Sequence, residues 1–142
     1  MMRLPWRLGR KAEDRTAPGN SGYESACTFA SRVVPGVTFT VARMSFGRRV
    51  ELMRRIRELA GKAEFLSAGQ SPEDKMDAAL VQAEIERVYV AWGVKAVSGL
   101  VIDGREAGPE MLSEAGPEGL FREALAAVRA ETGLNEEERK NC

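Results

Sequence analysis

Val37-Thr38-Phe39-Thr40-Val41 alternates apolar and small polar residues, and the stretch that opens four residues later, Ser45-Phe46-Gly47-Arg48-Arg49-Val50-Glu51-Leu52-Met53, does not. The first has a period of two and is rich in β-branched residues. That is the pattern of a half-buried strand, with Val37, Phe39 and Val41 on one face. In the second, Ser45 is placed to cap a helix that the spacing carries to Leu66. At 100° per residue, Phe46, Val50, Leu52, Met53, Ile56, Leu59, Ala60, Ala63 and Leu66 sweep an apolar arc of about 200°. Arg48, Glu51, Arg54, Arg55, Glu58 and Lys62 take the other side. Glu51–Arg55 and Glu58–Lys62 are i,i+4 pairs in the favourable order.

Downstream, Ala68-Gly69-Gln70 breaks the helix and Ser71-Pro72-Glu73-Asp74 starts another. A cap, a proline in the first turn and two acids at the positive end of the dipole all favour a start there. This second helix is expected to end at Trp92-Gly93. It carries two apolar stripes, Met76-Ala79-Leu80-Ala83-Val90 and Val81-Ile85-Val88-Trp92. A helix apolar on two sides is expected between two neighbours: the first helix, and either a sheet or another subunit. Val94–Val97 and Leu100–Ile102 are short apolar runs that suit strands, with a turn at Asp103-Gly104. Pro109-Glu110-Met111-Leu112 opens a short helix. Gly116-Pro117-Glu118 opens a longer one to Thr132, with Leu120, Phe121, Ala124, Leu125 and Val128 as its apolar stripe, and Asn135–Glu138 suits a further capped turn. The sum is an α+β, mostly helical fold: a small antiparallel sheet of two to three short strands with about four helices.

Upstream, residues 1–32 are basic and rich in Arg, Gly, Ser and turn residues, with few apolar side chains to offset the entropy of ordering. They are expected to form a disordered basic N-terminal tail, and residues 33–142 a single mostly helical domain.

The 142 residues suit one domain. Twenty-one Lys/Arg balance 21 Asp/Glu. The balance hides a dipole: residues 1–69 hold 13 basic against 6 acidic side chains, and residues 70–142 hold 8 against 15. Either the chain packs against itself or it offers two different partner surfaces; a homo-oligomer fits the first arrangement. No apolar run reaches the roughly 18 residues of a membrane span. The basic first segment lacks the apolar core of a signal peptide. The two cysteines, Cys27 and Cys142, are far from any C-x-x-C spacing and read as free thiols of a reducing cytoplasm.

The chain has no histidine. That removes Ser-His-Asp and Cys-His catalysis and every histidine-ligated metal site. Phosphate-loop, dinucleotide-binding and nucleophile-elbow motifs are also missing. Acids fall at helix starts or on solvated faces, and no pair stands out as catalytic. A non-enzymatic protein without cofactors is therefore expected. The candidate contact residues are Arg48, Arg54, Arg55 and Lys62 on the first helix and Tyr89 and Trp92 near the end of the second. Arginines on a helix can neutralise phosphates, so a small nucleic-acid-binding or regulatory protein using residues 45–66 is one reading. Glutamates on the same face and the lack of interleaved aromatics weigh against it.

From Val34 onward the chain resembles the tail assembly chaperones of tailed bacteriophages and prophages. The resemblance rests on the strand Gly36–Val41, the Phe46-Gly47 that introduces the first helix, and Trp92-Gly93. It continues through Gly99-Leu100-Val101-Ile102-Asp103-Gly104, Pro109–Leu112, and the run from Pro117 to Gly133-Leu134-Asn135-Glu136-Glu137-Glu138-Arg139-Lys140-Asn141. It covers about three quarters of the chain. These are patterns of apolar and turn residues, not chemical signatures; residues 1–32 have no counterpart. The resemblance implies a non-enzymatic protein of the bacterial host cytoplasm. It implies binding to the tape measure protein and recruitment of tail tube subunits during tail assembly. It also implies a longer product made by −1 frameshifting; Lys140-Asn141 can be encoded as AAA-AAC, which permits a slippery site. A tail or connector protein that stays in the virion is the remaining alternative.

Overall fold

The computed structural model describes residues 22–133. Their order is β1 (Ala26–Ala30), β2 (Thr38–Ala42), α1 (Phe46–Ser67), α2 (Pro72–Gly93), β3 (Val94–Ser98), β4 (Val101–Ile102), β5 (Arg105–Glu106), α3 (Pro109–Ala115) and α4 (Glu118–Gly133). The fold is α+β and mostly helical, as the hydrophobic periods require.

β1, β2 and β3 form an antiparallel sheet in that order, and β4 and β5 a separate two-stranded hairpin. The alternation in β2 sets the inner face: Val37, Phe39 and Val41 are buried, while Thr38 and Thr40 are half-buried. Phe29 lies directly opposite Phe39, with ring centroids 5.3 Å apart and tilted by 42°. On the other face Thr28 and Thr40 share a hydroxyl hydrogen bond of 3.1 Å. A bulge between Thr40 and Val41 shifts the register against β3, and Ala42 is buried beside Val41.

α1 and α2 are each 22 residues long, about 33 Å at 1.5 Å per residue. They form a long αα-hairpin. Ser45 caps α1, its hydroxyl accepting from Arg48 N–H at 3.2 Å. Ser71 caps α2 in the same way, accepting from Asp74 N–H at 3.0 Å, with Pro72 in the first turn. α4 lies over β2 and beside the C-terminal half of α2. Leu112, Leu120, Ala124, Leu125 and Val128 meet Phe39, Val41, Leu52, Val90, Trp92 and Val94 in the main core. Further along the hairpin only Ala63, Val81 and Ile85 are buried, with Ile56, Leu59, Leu66 and Tyr89 packed around them.

Glu131, at the end of α4, is buried and accepts from Met44 N–H at 3.4 Å. The Glu123 carboxylate accepts from Ser31 Oγ–H at 2.6 Å and from Arg32 N–H at 2.7 Å. Arg122 bridges Glu86 on α2 and Glu118 on its own helix. The hydrogen bond to Glu86, then that carboxylate's charge, raises the Arg122 pKa above its ordinary value.

Three expectations change. The segment expected to be a tail to residue 32 contains β1; residues 1–21 lie outside the described residues. Pairing with β2 in register is what orders Ala26–Ala30, and a long-range partner is invisible to local composition. Cys27, on that strand, is disulfide-bonded rather than a free thiol; an ordered strand holds the sulfur at a fixed place where a partner thiol can meet it. Third, α2 has α1 on one side and α3 and α4 on the other, held there at Glu86 and Arg87, where a sheet or another subunit was expected. The expected turn at Asn135–Glu138 lies outside the described residues.

Candidate functional site

The apolar arc of α1 is wider than its partner. α2 covers Leu52 and Ala63, with Ile56, Leu59 and Leu66 half-buried. The flank of the arc stays bare: Phe46 is 85% exposed and Met53 59%. Val50, Met53, Ile56 and Ala60 line a shallow groove of about 450 Å³, bordered by Arg54 and Arg57. Next to it runs a second groove of about 460 Å³ between the helices, lined by Ala60, Glu64, Gln82, Tyr89 and Arg129 among others.

On α2 the stripe Val81-Ile85 is buried against α1, while Met76, Ala79, Leu80 and Ala83 are exposed. Met76 is 69% and Leu80 62% exposed. At 100° per residue these four sit on the side of α2 away from α1. Glu73, Asp77 and Glu84 run along one border, all exposed. Among the described residues, five of the eight large exposed hydrophobics, Phe46, Met53, Phe65, Met76 and Leu80, belong to the two hairpin helices. Single apolar residues at a surface are ordinary, but grouped ones rimmed by polar residues mark interaction sites.

The expected contact residues divide into distinct environments. Arg54 is exposed on the groove rim. Arg55 is tied to Glu51 at 3.3 Å. Arg48 is half-buried on the same side of the helix as Arg55, nearly opposite Arg57 and about 120° around the helix from Arg54. Lys62 is exposed farther along α1. The arginines therefore do not form one basic face. Arg49 is turned to the end of α4, its Nη2 donating to Thr132 C=O at 3.3 Å. Tyr89 is half-buried with the Arg129 guanidinium 5.5 Å above its ring, within the range of a cation–π contact. Trp92 is a core residue, 4% exposed, and its Nε1–H donates to Glu51 Oε1 at 3.4 Å. It positions α1 against α2 and presents no surface to a partner.

Sequence reasoning placed the apolar stripes but not their exposure. Periodicity tells which side of a helix is apolar and not what covers it. Phe65, 79% exposed on the polar side of α1, belongs to no stripe, and only its isolation among charged residues marks it.

Among the described residues no group of three or more Cys, Asp or Glu side chains comes together as a metal site. Among them, too, no helix is long and apolar enough to cross a membrane. No known protein family, no curated protein and no solved structure matches the chain.

Proposed function

We propose that this protein is a tail assembly chaperone of a phage or prophage. In this reading it holds a long helical tape measure protein and yields it to tail tube subunits. The observation that carries the reading is the pair of apolar stripes on α1 and α2. They stay bare although the chain has a well-filled core of its own. A helical hairpin with bare stripes can cover the apolar side of another helix, read as i, i+3, i+4 and i+7 anchors. The sequence elements shared with the family add to it: Phe46-Gly47 opens the hairpin, and Gly99–Gly104 shapes the turn and small hairpin after β3. The reading gives the protein no catalytic step and goes with the cytoplasm of a bacterial host, against which the Cys27 disulfide, unusual in a reducing compartment, weighs.

The test is co-expression with the tape measure protein of the same phage or prophage. The partner should stay soluble only when this chain is present, and Met53→Glu or Leu80→Glu should remove that effect while leaving helicity unchanged. Coding DNA that reads A-AAA-AAC through Lys140-Asn141, followed by an open −1 frame, would add support. Recovery of the chain in purified particles would instead favour a structural tail or connector protein. Steeply salt-dependent DNA binding would favour the nucleic-acid reading.

A further inference from the structure

The groove between the two long helices is a hollow with a physical cause. Along that side α1 presents Ile56, Ala60, Ala63 and Ser67, and α2 faces them with Gln82, Ile85 and Tyr89. Beyond Ile56 these α1 side chains are alanine and serine. They are too short to fill the roughly 8–10 Å between packed helix axes. About 460 Å³ stays open, a size that suits a ligand pocket. Beneath it lies the minor core, where only Ala63, Val81 and Ile85 are buried. Protein interiors are close-packed, so this half of the hairpin lacks a filling side chain. The spare aromatic of α1 cannot supply it. Phe65 is exposed and stands about 160° around the helix from Ala63.

Arg129 of α4 borders the hollow, its guanidinium over the Tyr89 ring. Among the described residues its ion-pair partner is Glu86, at 3.9 Å. That is beyond hydrogen-bond length, and Glu86 already accepts from Arg122 at 2.9 Å. The Arg129 donors are left for an incoming acceptor.

We propose that this hollow is an anchor pocket for one aromatic side chain on a partner's helix, with a carboxylate of the same helix held by Arg129. The ring packs on Ile56, Ala63 and Ile85 beside Tyr89, where an aromatic pair gains beyond its buried area. A helix delivers it, because a third helix nests in the groove between two others. A carboxylate one turn from the ring lies on the same face of that helix and meets the guanidinium in a charge-assisted hydrogen bond. Filled pockets of this kind carry most of the energy of an interface, so the anchor fixes where the partner sits while the bare stripes cover its flanks. The inference rests on the proposed function for the partner's identity alone.

The experiment is titration of the full chain with three fluorescent synthetic amphipathic helices. The first carries one Phe on its apolar stripe and a Glu one turn away. The second has Ala for that Phe, and the third has Gln for that Glu. The first should bind, the second about tenfold or more weakly, and the third roughly two- to fivefold more weakly. Ala60→Phe, which plugs the hollow, should bind the first helix no better than the wild type binds the second, with helicity kept. Arg129→Gln should erase the advantage of the Glu helix over the Gln helix. Methyl resonances of Ile56 and Ile85 should shift on binding and those of Leu80 should not, which decides the matter even if the plugged variant misfolds. Equal binding of the Phe and Ala helices, undiminished binding to a folded Ala60→Phe variant, or shifts centred on Leu80 would each overturn the proposal. So would Ile56 and Ile85 shifts that appear on concentrating the chain alone, since a second copy would then fill the hollow. Helix binding at the hollow together with failed co-expression rescue sinks the chaperone reading and leaves the pocket standing. Rescue that survives Ala60→Phe sinks the pocket and leaves the chaperone reading standing.

Discussion

Gly93 lies against Val128 so closely that a Cβ on Gly93 would stand 2.6 Å from Val128 Cγ1 and 2.7 Å from Cγ2. This contact joins the end of α2 to the middle of α4 in the main core. Gly93→Ala should therefore destabilise the fold by about 1–3 kcal/mol through overpacking. Thermal unfolding checks it. Combining it with Val128→Ala should recover part of the loss, with a coupling of roughly 0.5–3 kcal/mol in a double-mutant cycle. Strictly additive losses would refute the contact.

Two glycines with similar backbone angles should differ in cost. Gly99 has φ +82° and a Cβ there would meet the Gly36 carbonyl oxygen at 2.1 Å, whereas Gly104 has φ +80° and open space. Gly104→Ala should cost about 1 kcal/mol, the usual cost of a left-handed alanine. Gly99→Ala should cost more, because it must also move the backbone before β2. Denaturant midpoints of the two variants check the order.

The hairpin caps are separable from its packing. Ser45→Ala and Ser71→Ala should each lower stability by about 0.5–2 kcal/mol. Equilibrium unfolding followed by helical circular dichroism measures both. A change of less than a few tenths at either site would mean that the cap hydrogen bond is not formed in solution.

The bare stripes make the opposite prediction. Met53→Ser and Leu80→Ser should leave stability within about 0.5 kcal/mol of the parent, as surface changes do. Leu52→Ala, one residue from Met53 but buried, should cost about 2–5 kcal/mol. Binding of an apolar fluorescent dye should fall with the serine variants and not with a control at exposed Lys95.

Much of this architecture is legible in the chain. β2 follows from Val37, Phe39 and Val41, and both long helices start at the serines that cap them. Gly133 closes α4 where expected. What could not be read depends on distant partners. β1 is five residues among turn formers, and its order comes from pairing Phe29 with Phe39. β5 is only two residues held by the turn at Asp103, which has φ +52°. Trp92, an aromatic near a helix end, suits either an interface or a core. Its place is decided by α4 and by Glu51, which lies 41 residues away.

The three-residue core of Ala63, Val81 and Ile85 has a kinetic consequence. Opening free energy for amide exchange tracks buried apolar packing. Protection should therefore be graded along α2, highest near Val90 and Trp92, where α1 and α4 both cover the backbone, and falling steadily toward Ser71. The hairpin then unlatches from its tip while the sheet and α4 remain closed, so its two helices can part and re-form around something else without the rest of the molecule unfolding.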